Sequence, residues 1–144
     1  MKLFYILCHM VWGLFSLRKL SAGADQRTLR RKIQLWHQKT IKLLEISSTL
    51  SGDIPIGPCL IVSNHLSWVD ILLIGSFEDV RFVAKAEVAK WPVVGKLASG
   101  AGTLFVRRGD RYSAERAVAD VASELTHGHR VVIFPEGTST RGPM

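Results

Sequence analysis

The sequence predicts an α/β fold: a mostly parallel sheet flanked by helices, preceded by a pair of N-terminal helices. Three observations lead there. From residue 59 onward, short β-rich runs alternate with helical periods, the order expected of parallel strands joined by crossover helices. The first 51 residues hold two long helix-compatible stretches and no strand-like run. Between them lies a turn-rich break, Ser51-Gly52-Asp53 with Pro55 and Pro58. Residues 1–51 and 52–144 are therefore expected to be distinct parts.

Residues 3–17, LFYILCHMVWGLFSL, are apolar apart from His9 and Ser16. As a helix they would extend about 22 Å, short of a hydrocarbon core of about 30 Å. Ala22-Gly23-Ala24 resembles a signal-peptide cleavage site. Arg18 and Lys19 stand before it, and positive charge there resists translocation, which favours a retained segment with the rest in the cytoplasm. Residues 26–46 are expected to form the second helix, because Leu29, Ile33, Trp36, Thr40 and Leu43/Leu44 recur at helical spacing. Arg27, Arg30, Arg31, Lys32, Lys39 and Lys42 surround that stripe. The formal net charge of +7 is concentrated here: residues 1–51 hold nine Lys/Arg and two Asp/Glu, and the remainder holds ten of each. An apolar stripe among cations, beside an apolar helix, fits a membrane interface, with the stripe in the acyl region and the cations at head groups. The alternative for residues 26–46 is an ordinary helix packed on a protein core. Nucleic acid is not expected as a partner, because no aromatic-interleaved basic patch or nucleic-acid motif accompanies the charge. Cys8 and Cys59 each lie in an apolar run and are expected to be buried thiols in a reducing compartment, with neither disulfide nor zinc spacing.

The second part is expected to begin with a buried strand at CLIVSN, 59–64, followed by a helix over 68–77 and a strand over 80–84. Residues 86–98 are expected to be helical but interrupted at Trp91-Pro92, since proline lacks a donor and restricts its predecessor. A strand is expected over 103–107, then a helix N-capped by Asp110 and running to about Leu125. Tyr112, Ala114, Val118, Val121, Ala122 and Leu125 would line its inner side, Gly128 would end it, and RVVIF, 130–134, would be the last strand. His65, Arg108 and Glu136 each fall just after a strand, where ligands sit in open α/β sheets.

In NHLSWVD, 64–70, His65 and Asp70 are separated by four residues. A neutral imidazole takes a proton from a hydroxyl near neutral pH, and a carboxylate holds its tautomer and stabilises the imidazolium. The two cannot meet on one continuous helix; they meet if His65 lies in the loop and Asp70 in the first helical turn. A plainer reading is that Ser67-Trp-Val-Asp70 is a capping box and nothing more. FPEGTSTRG, 134–142, places a carboxylate, a glycine and hydroxyls after a buried strand, a turn able to bind an anion through backbone N–H groups with help from Arg141; a plain polar loop is the alternative. There is no G-x-S-x-G elbow, HExxH or P-loop.

NHLSWVD, GTLFVRR (102–108) and FPEGTSTRG stand in that order, and with them the chain resembles the glycerolipid acyltransferases of the 1-acyl-glycerol-3-phosphate acyltransferase type. KAEVAKWPVVGKLASGAG, between the first two blocks, shares the family's character, and the resemblance covers about residues 59–142. It implies a glycerol-3-phosphate-acyltransferase-like fold and acyl transfer from acyl-CoA or acyl-carrier-protein to a lysolipid hydroxyl, on the cytoplasmic face of a membrane such as the bacterial inner membrane. It also implies His65 as base, Asp70 as its orienting partner, Arg108 on the acceptor phosphate, Glu136, Gly137 and Thr138 positioning the acceptor, and neither metal nor covalent intermediate. Three departures stand out. Arg107 occupies a position that is often Asp in the family. Ser139 follows Gly137-Thr138 where arginine is common, the next arginine being Arg141. The family continues beyond its third block with more sheet, so a strand near 130–134 is expected to expose an edge. Lysophosphatidic acid is the default acceptor; another lysolipid, such as lyso-ornithine lipid, fits the departures. A silent membrane-binding fragment and a hydrolase using His65 on water are the rivals.

Overall fold

The computed structural model describes residues 2–21, 25–107, 109 and 111–136. Helix α1 spans Lys2–Ser21 and α2 spans Gln26–Leu43. Asp25 caps α2, its carboxylate accepting the Thr28 N–H at 2.9 Å and the Thr28 hydroxyl at 2.8 Å. These contacts lower the Asp25 pKa, the backbone hydrogen bond most. Among the described residues no helix is long and apolar enough to cross a membrane.

The two helices meet along a polar-aromatic seam. His9 is buried, with Nε2 3.0 Å from Thr40 Oγ1 and its ring stacked on Trp36 at 5.1 Å. Trp36 returns an indole N–H bond to the His9 carbonyl at 3.2 Å. Outside the seam, α1 leaves Phe4, Leu7, Val11 and Phe15 exposed on one side. Cys8 is exposed there too, and Cys59 is half-buried, which corrects the expectation of two buried thiols.

The stripe of α2 also departs from expectation. Instead of facing outward into lipid, it turns inward, packing on α1 and on α3, Val69–Phe77. His37, Thr40 and Ile41 are buried. Close approach to α3 depends on Gly75, where an added Cβ would lie 2.3 Å from His37 Nδ1. Gln34 and Gln38 donate to the Phe77 and Ser76 carbonyls at 2.9 and 2.8 Å, satisfying acceptors that a helix C-terminus leaves unpaired. The competing protein surface of α3 decided what the apolar stripe would cover.

Strands β1 Leu60–Val62, β2 Val80–Lys85, β3 Leu104–Val106 and β4 Arg130–Ile133 form one sheet in the order β1-β4-β2-β3, parallel throughout. Leu60 pairs with Val131, Val80 with Arg130, and Val83 with Leu104. β4 therefore lies inside the sheet, with Val131 and Val132 fully buried. The edge expected at 130–134 is absent; β1 and β3 form the edges, because β1 and β2 leave one strand width between them and β4 fills it. Val80, Phe82 and Val132 make the core under Ile71 and Ile74 of α3.

Residues 86–98 divide as the Trp91-Pro92 break predicts, into a 3₁₀ turn over Ala86–Lys90 and helix α4 over Val94–Gly100. Val93 joins them in a γ-turn with φ 62 and ψ −61, closed by the Val94 N–H on the Pro92 carbonyl at 2.6 Å. That conformation is strained for a β-branched residue. Helix α5 spans Arg111–Thr126; its expected cap, Asp110, lies outside the described residues. The inner side differs from the expected one: Tyr112 and Val118 are 77% and 71% exposed, and Ala114 and Ala122 are exposed as well. Ser113, Ala117, Val121, Glu124 and Leu125 turn toward the protein. A glutamate can do so because Arg81 of β2 meets it at 2.6 Å.

The amino ends of the strands carry an ionic clasp. Arg30 of α2 binds Asp79 at 3.3 Å and donates to His129 Nε2 at 2.7 Å. Arg130 holds Glu78 and the carbonyls of Pro55 and Gly57. The carboxyl ends carry a different set of groups.

Candidate active site

β1 ends at Val62, and the loop through Ser63 to Trp68 leads over the carboxyl end of the sheet into α3. The Asp70 carboxylate, in the first turn of α3, reaches back into that loop. A single oxygen, Oδ2, accepts the Leu66 N–H at 2.7 Å and the Ser67 N–H at 2.8 Å, and lies 3.0 Å from His65 Nδ1. Ser67 Oγ accepts the Val69 N–H at 3.1 Å. Asp70 thus ties off the helix start and holds the imidazole with the same atom; the two readings of the motif describe one arrangement. The side chains of His65 and Asp70 are 17% and 21% exposed, dry enough to sharpen the contact and open enough for a reactant to arrive.

Two further groups fix His65. Its ring stacks on Phe134 at 4.2 Å and 23°, and Phe134 lies over Phe82 at 6.3 Å and 9°. Its backbone N–H donates to Glu136 Oε2 at 3.3 Å. An imidazole that donates its Nδ1 proton to a carboxylate has Nε2 as its basic nitrogen. His65, Asp70 and Glu136 are therefore brought together. Arg108, Gly137, Thr138 and Arg141 lie outside the described residues. Phe134 was not singled out from sequence; its signal is its position one residue beyond a buried strand, on the same alternating face as Val132.

A cleft of about 2030 Å³ opens between the helical pair and the sheet. His65 and Phe134 stand on its wall, with Ile6, Trp36, Ile71 and Leu97 among its apolar lining. Pockets for compact ligands occupy about 300–1,000 Å³, and this open cleft is larger. His37 also borders it, with a pKa lowered chiefly by burial. Among the described residues no group of three or more His, Cys, Asp or Glu is placed to hold a metal ion.

The chain is 43% identical over 129 residues to the lyso-ornithine lipid O-acyltransferase of Pseudomonas aeruginosa, covering 88% of this chain and 49% of that protein. It is 32% identical over 142 residues to the 1-acyl-sn-glycerol-3-phosphate acyltransferase of Neisseria meningitidis serogroup B, covering 94% and 55%. The chain thus spans about half the length of the curated relatives it matches. In fold it is similar to the crystal structure of the 1-acyl-sn-glycerophosphate acyltransferase PlsC from Thermotoga maritima, with a TM-score of 0.66, 21% identity, and coverage of 99% of this chain and 65% of that one. The profile of the Acyltransferase family matches residues 45–143, a stretch that includes all three sequence blocks, the His65–Asp70 pair and Glu136, and by that match the chain belongs to the acyltransferase family.

Proposed function

We propose that the chain transfers an acyl group from a thioester donor to the hydroxyl of a lysolipid at a membrane surface. The observation that carries this is the His65–Asp70 pair, 3.0 Å apart, with His65 on the wall of a large, mostly apolar cleft. His65 Nε2 takes the proton of the acceptor hydroxyl as its oxygen attacks the thioester carbonyl, while Asp70 stabilises the imidazolium. The tetrahedral intermediate collapses, the C–S bond breaks, and the proton passes from His65 to the departing thiolate. Glu136, Gly137 and Thr138, with Arg108 and Arg141, hold the acceptor head group, and the apolar cleft receives an acyl chain. The exposed apolar side of α1 enters the cytoplasmic leaflet, as its flanking Arg18 and Lys19 favour.

Two acceptors are supported. Lyso-ornithine lipid ranks first on identity, 43% and 39% to two such relatives against 32% to a 1-acyl-sn-glycerol-3-phosphate acyltransferase, and on the departures at Arg107 and Ser139. Lysophosphatidic acid is supported by the three-block pattern itself. The test is label transfer from acyl-CoA and from acyl-carrier-protein to each acceptor. His65→Ala is expected to lower the rate about 10²–10⁴-fold; retention of most of the rate with every donor and acceptor rejects His65 as the base.

A further inference from the structure

The ionic clasp at the amino ends of the strands centres on one imidazole. His129, immediately before β4, has a side chain only 16% exposed. Arg30 of α2 donates to its Nε2 at 2.7 Å, a contact between residues 99 positions apart. A guanidinium has donors only, so Nε2 is the acceptor and the ring is neutral, with its proton on Nδ1. Nδ1 is buried and has no hydrogen-bond partner among the described residues. The polar contacts of the ring therefore run through Nε2.

Nε2 also faces a second partner. Glu124 Oε2 of α5 lies 3.7 Å away. That oxygen forms an ion pair with Arg81 of β2 at 2.6 Å but accepts no hydrogen bond among the described residues. It retains acceptor capacity for an N–H. Asp79, immediately before β2, also acts on the ring and holds Arg30 at 3.3 Å. Arg130, next to His129 on β4, is occupied by Glu78 and two carbonyls. A cavity of about 150 Å³ bordered by Arg30, Asp79, His129 and Arg130 leaves room for a guanidinium to move.

Protonation reverses these preferences. An N–H on Nε2 would point at the donors of Arg30, cation against cation, while Glu124 would gain a donor. From this geometry we propose that His129 is a proton-operated latch on α2: neutral, it holds Arg30; protonated, it releases Arg30 and turns to Glu124. Burial first, then Arg81 and Arg30, lower the His129 pKa against the opposing pull of Glu124 and Asp79. The latch is thus closed at neutral pH and opens on the acid side of about 6.5. Release is local. From Gln34 onward α2 stays anchored, because Gln34 and Gln38 donate to the carbonyls of α3 and His37, Thr40 and Ile41 are buried. Lys32 and Ile33, on the released turns, line the cleft, so acid loosens one end of its wall.

The experiment measures native-state amide exchange of the full chain in detergent micelles at pH 7 and pH 5, each rate divided by the intrinsic rate at that pH. Amides of residues 30–34 are expected to lose about tenfold protection relative to residues 37–41 on acidification, the order of magnitude for losing one hydrogen bond to a charged group. His129→Gln keeps an oxygen that accepts from Arg30 and does not titrate, so its ratio is expected to stay constant with pH. Arg30→Gln is expected to show the low ratio at both pH values. A parent ratio that does not change with pH overturns the proposal. So does a fall in His129→Gln equal to that of the parent, which would assign the response to His9 or His37. If His129→Gln does not fold, the ¹⁵N signals of the parent imidazole decide. A bare Nε2 at pH 7 that gains its proton in step with the loss of protection supports the latch. A proton already on Nε2 at pH 7, or gained out of step, overturns it. The readout needs neither lipid nor catalysis, so it is independent of the acyl-transfer reading.

Discussion

Asp70→Asn separates the two jobs that one carboxylate oxygen performs. In the parent, Oδ2 serves the Leu66 N–H, the Ser67 N–H and His65 Nδ1, all within 3.0 Å. An asparagine oxygen still accepts from the two backbone donors, but without charge. Hydrogen bonds to charged groups contribute about 1.5–3 kcal/mol and neutral ones about 1, so stability is expected to fall by about 1–2 kcal/mol. The contact with His65 weighs differently, because it strengthens as the imidazolium forms. Unit charges 3.0 Å apart attract by about 5 kcal/mol at an effective dielectric constant of about 20. With both groups partly solvated, about 3–5 kcal/mol of that is available to the transition state, or about 10²–10⁴ in kcat. The control is Ser67→Ala, which removes only the Ser67–Val69 bond and is expected to cost about 1 kcal/mol of stability with little change in rate. Both variants are assayed for label transfer to the lysolipid and for their urea midpoint. If Asp70→Asn loses stability but keeps its rate within a few-fold of the parent, Asp70 is a helix cap and the reasoning is wrong.

Phe134→Leu keeps apolar volume but removes the flat face against His65, and a stacked pair contributes about 0.5–1.5 kcal/mol beyond burial. We expect kcat to fall by about 2–12-fold with KM little changed and Phe134→Tyr to restore it; equal loss in both variants would assign Phe134 to packing alone. Burial is also the main cause lowering the pKa of His9, His37 and His129. The unfolded chain then binds more protons than the folded one as pH falls through about 6.5 and below, so stability drops on acidification in that window. The urea midpoint should be lower at pH 5 than at pH 7, and a higher midpoint at pH 5 would show that these histidines do not govern the response.

The order of elements was legible because strand-like runs and helical periods are local properties. Their partners were not. The central place of β4 depends on a gap left between β1 and β2, which no window of sequence displays. On α5, the apolar stripe held at Val121 and Leu125 but misled at Tyr112 and Val118, because the rest of the inner side is Ser113, Ala117 and Glu124, and the glutamate's acceptability rests on Arg81 far away in the chain. On α2 the stripe was found correctly, but its counterpart was α3 and not lipid. At the site, the spacing of His65 and Asp70 suited a helix cap as well as a pair, and the other two blocks in order favoured the pair. That one oxygen both caps the helix and grips the ring, and that Phe134 backs the ring, required the loop and the sheet to be seen together.

The strand order has a consequence for synthesis. β1 and β2 do not pair with each other; each waits for β4, the last of the four described strands in chain order. Until Arg130–Ile133 emerges there is no sheet linking them, and the contacts that close it span up to about half of the chain, which makes folding slow and late. The helical pair, made before the strands, has contacts of its own in the seam of His9, Trp36 and Thr40. The two helices would thus be docked on each other before β4 closes the sheet and Phe134 arrives behind His65.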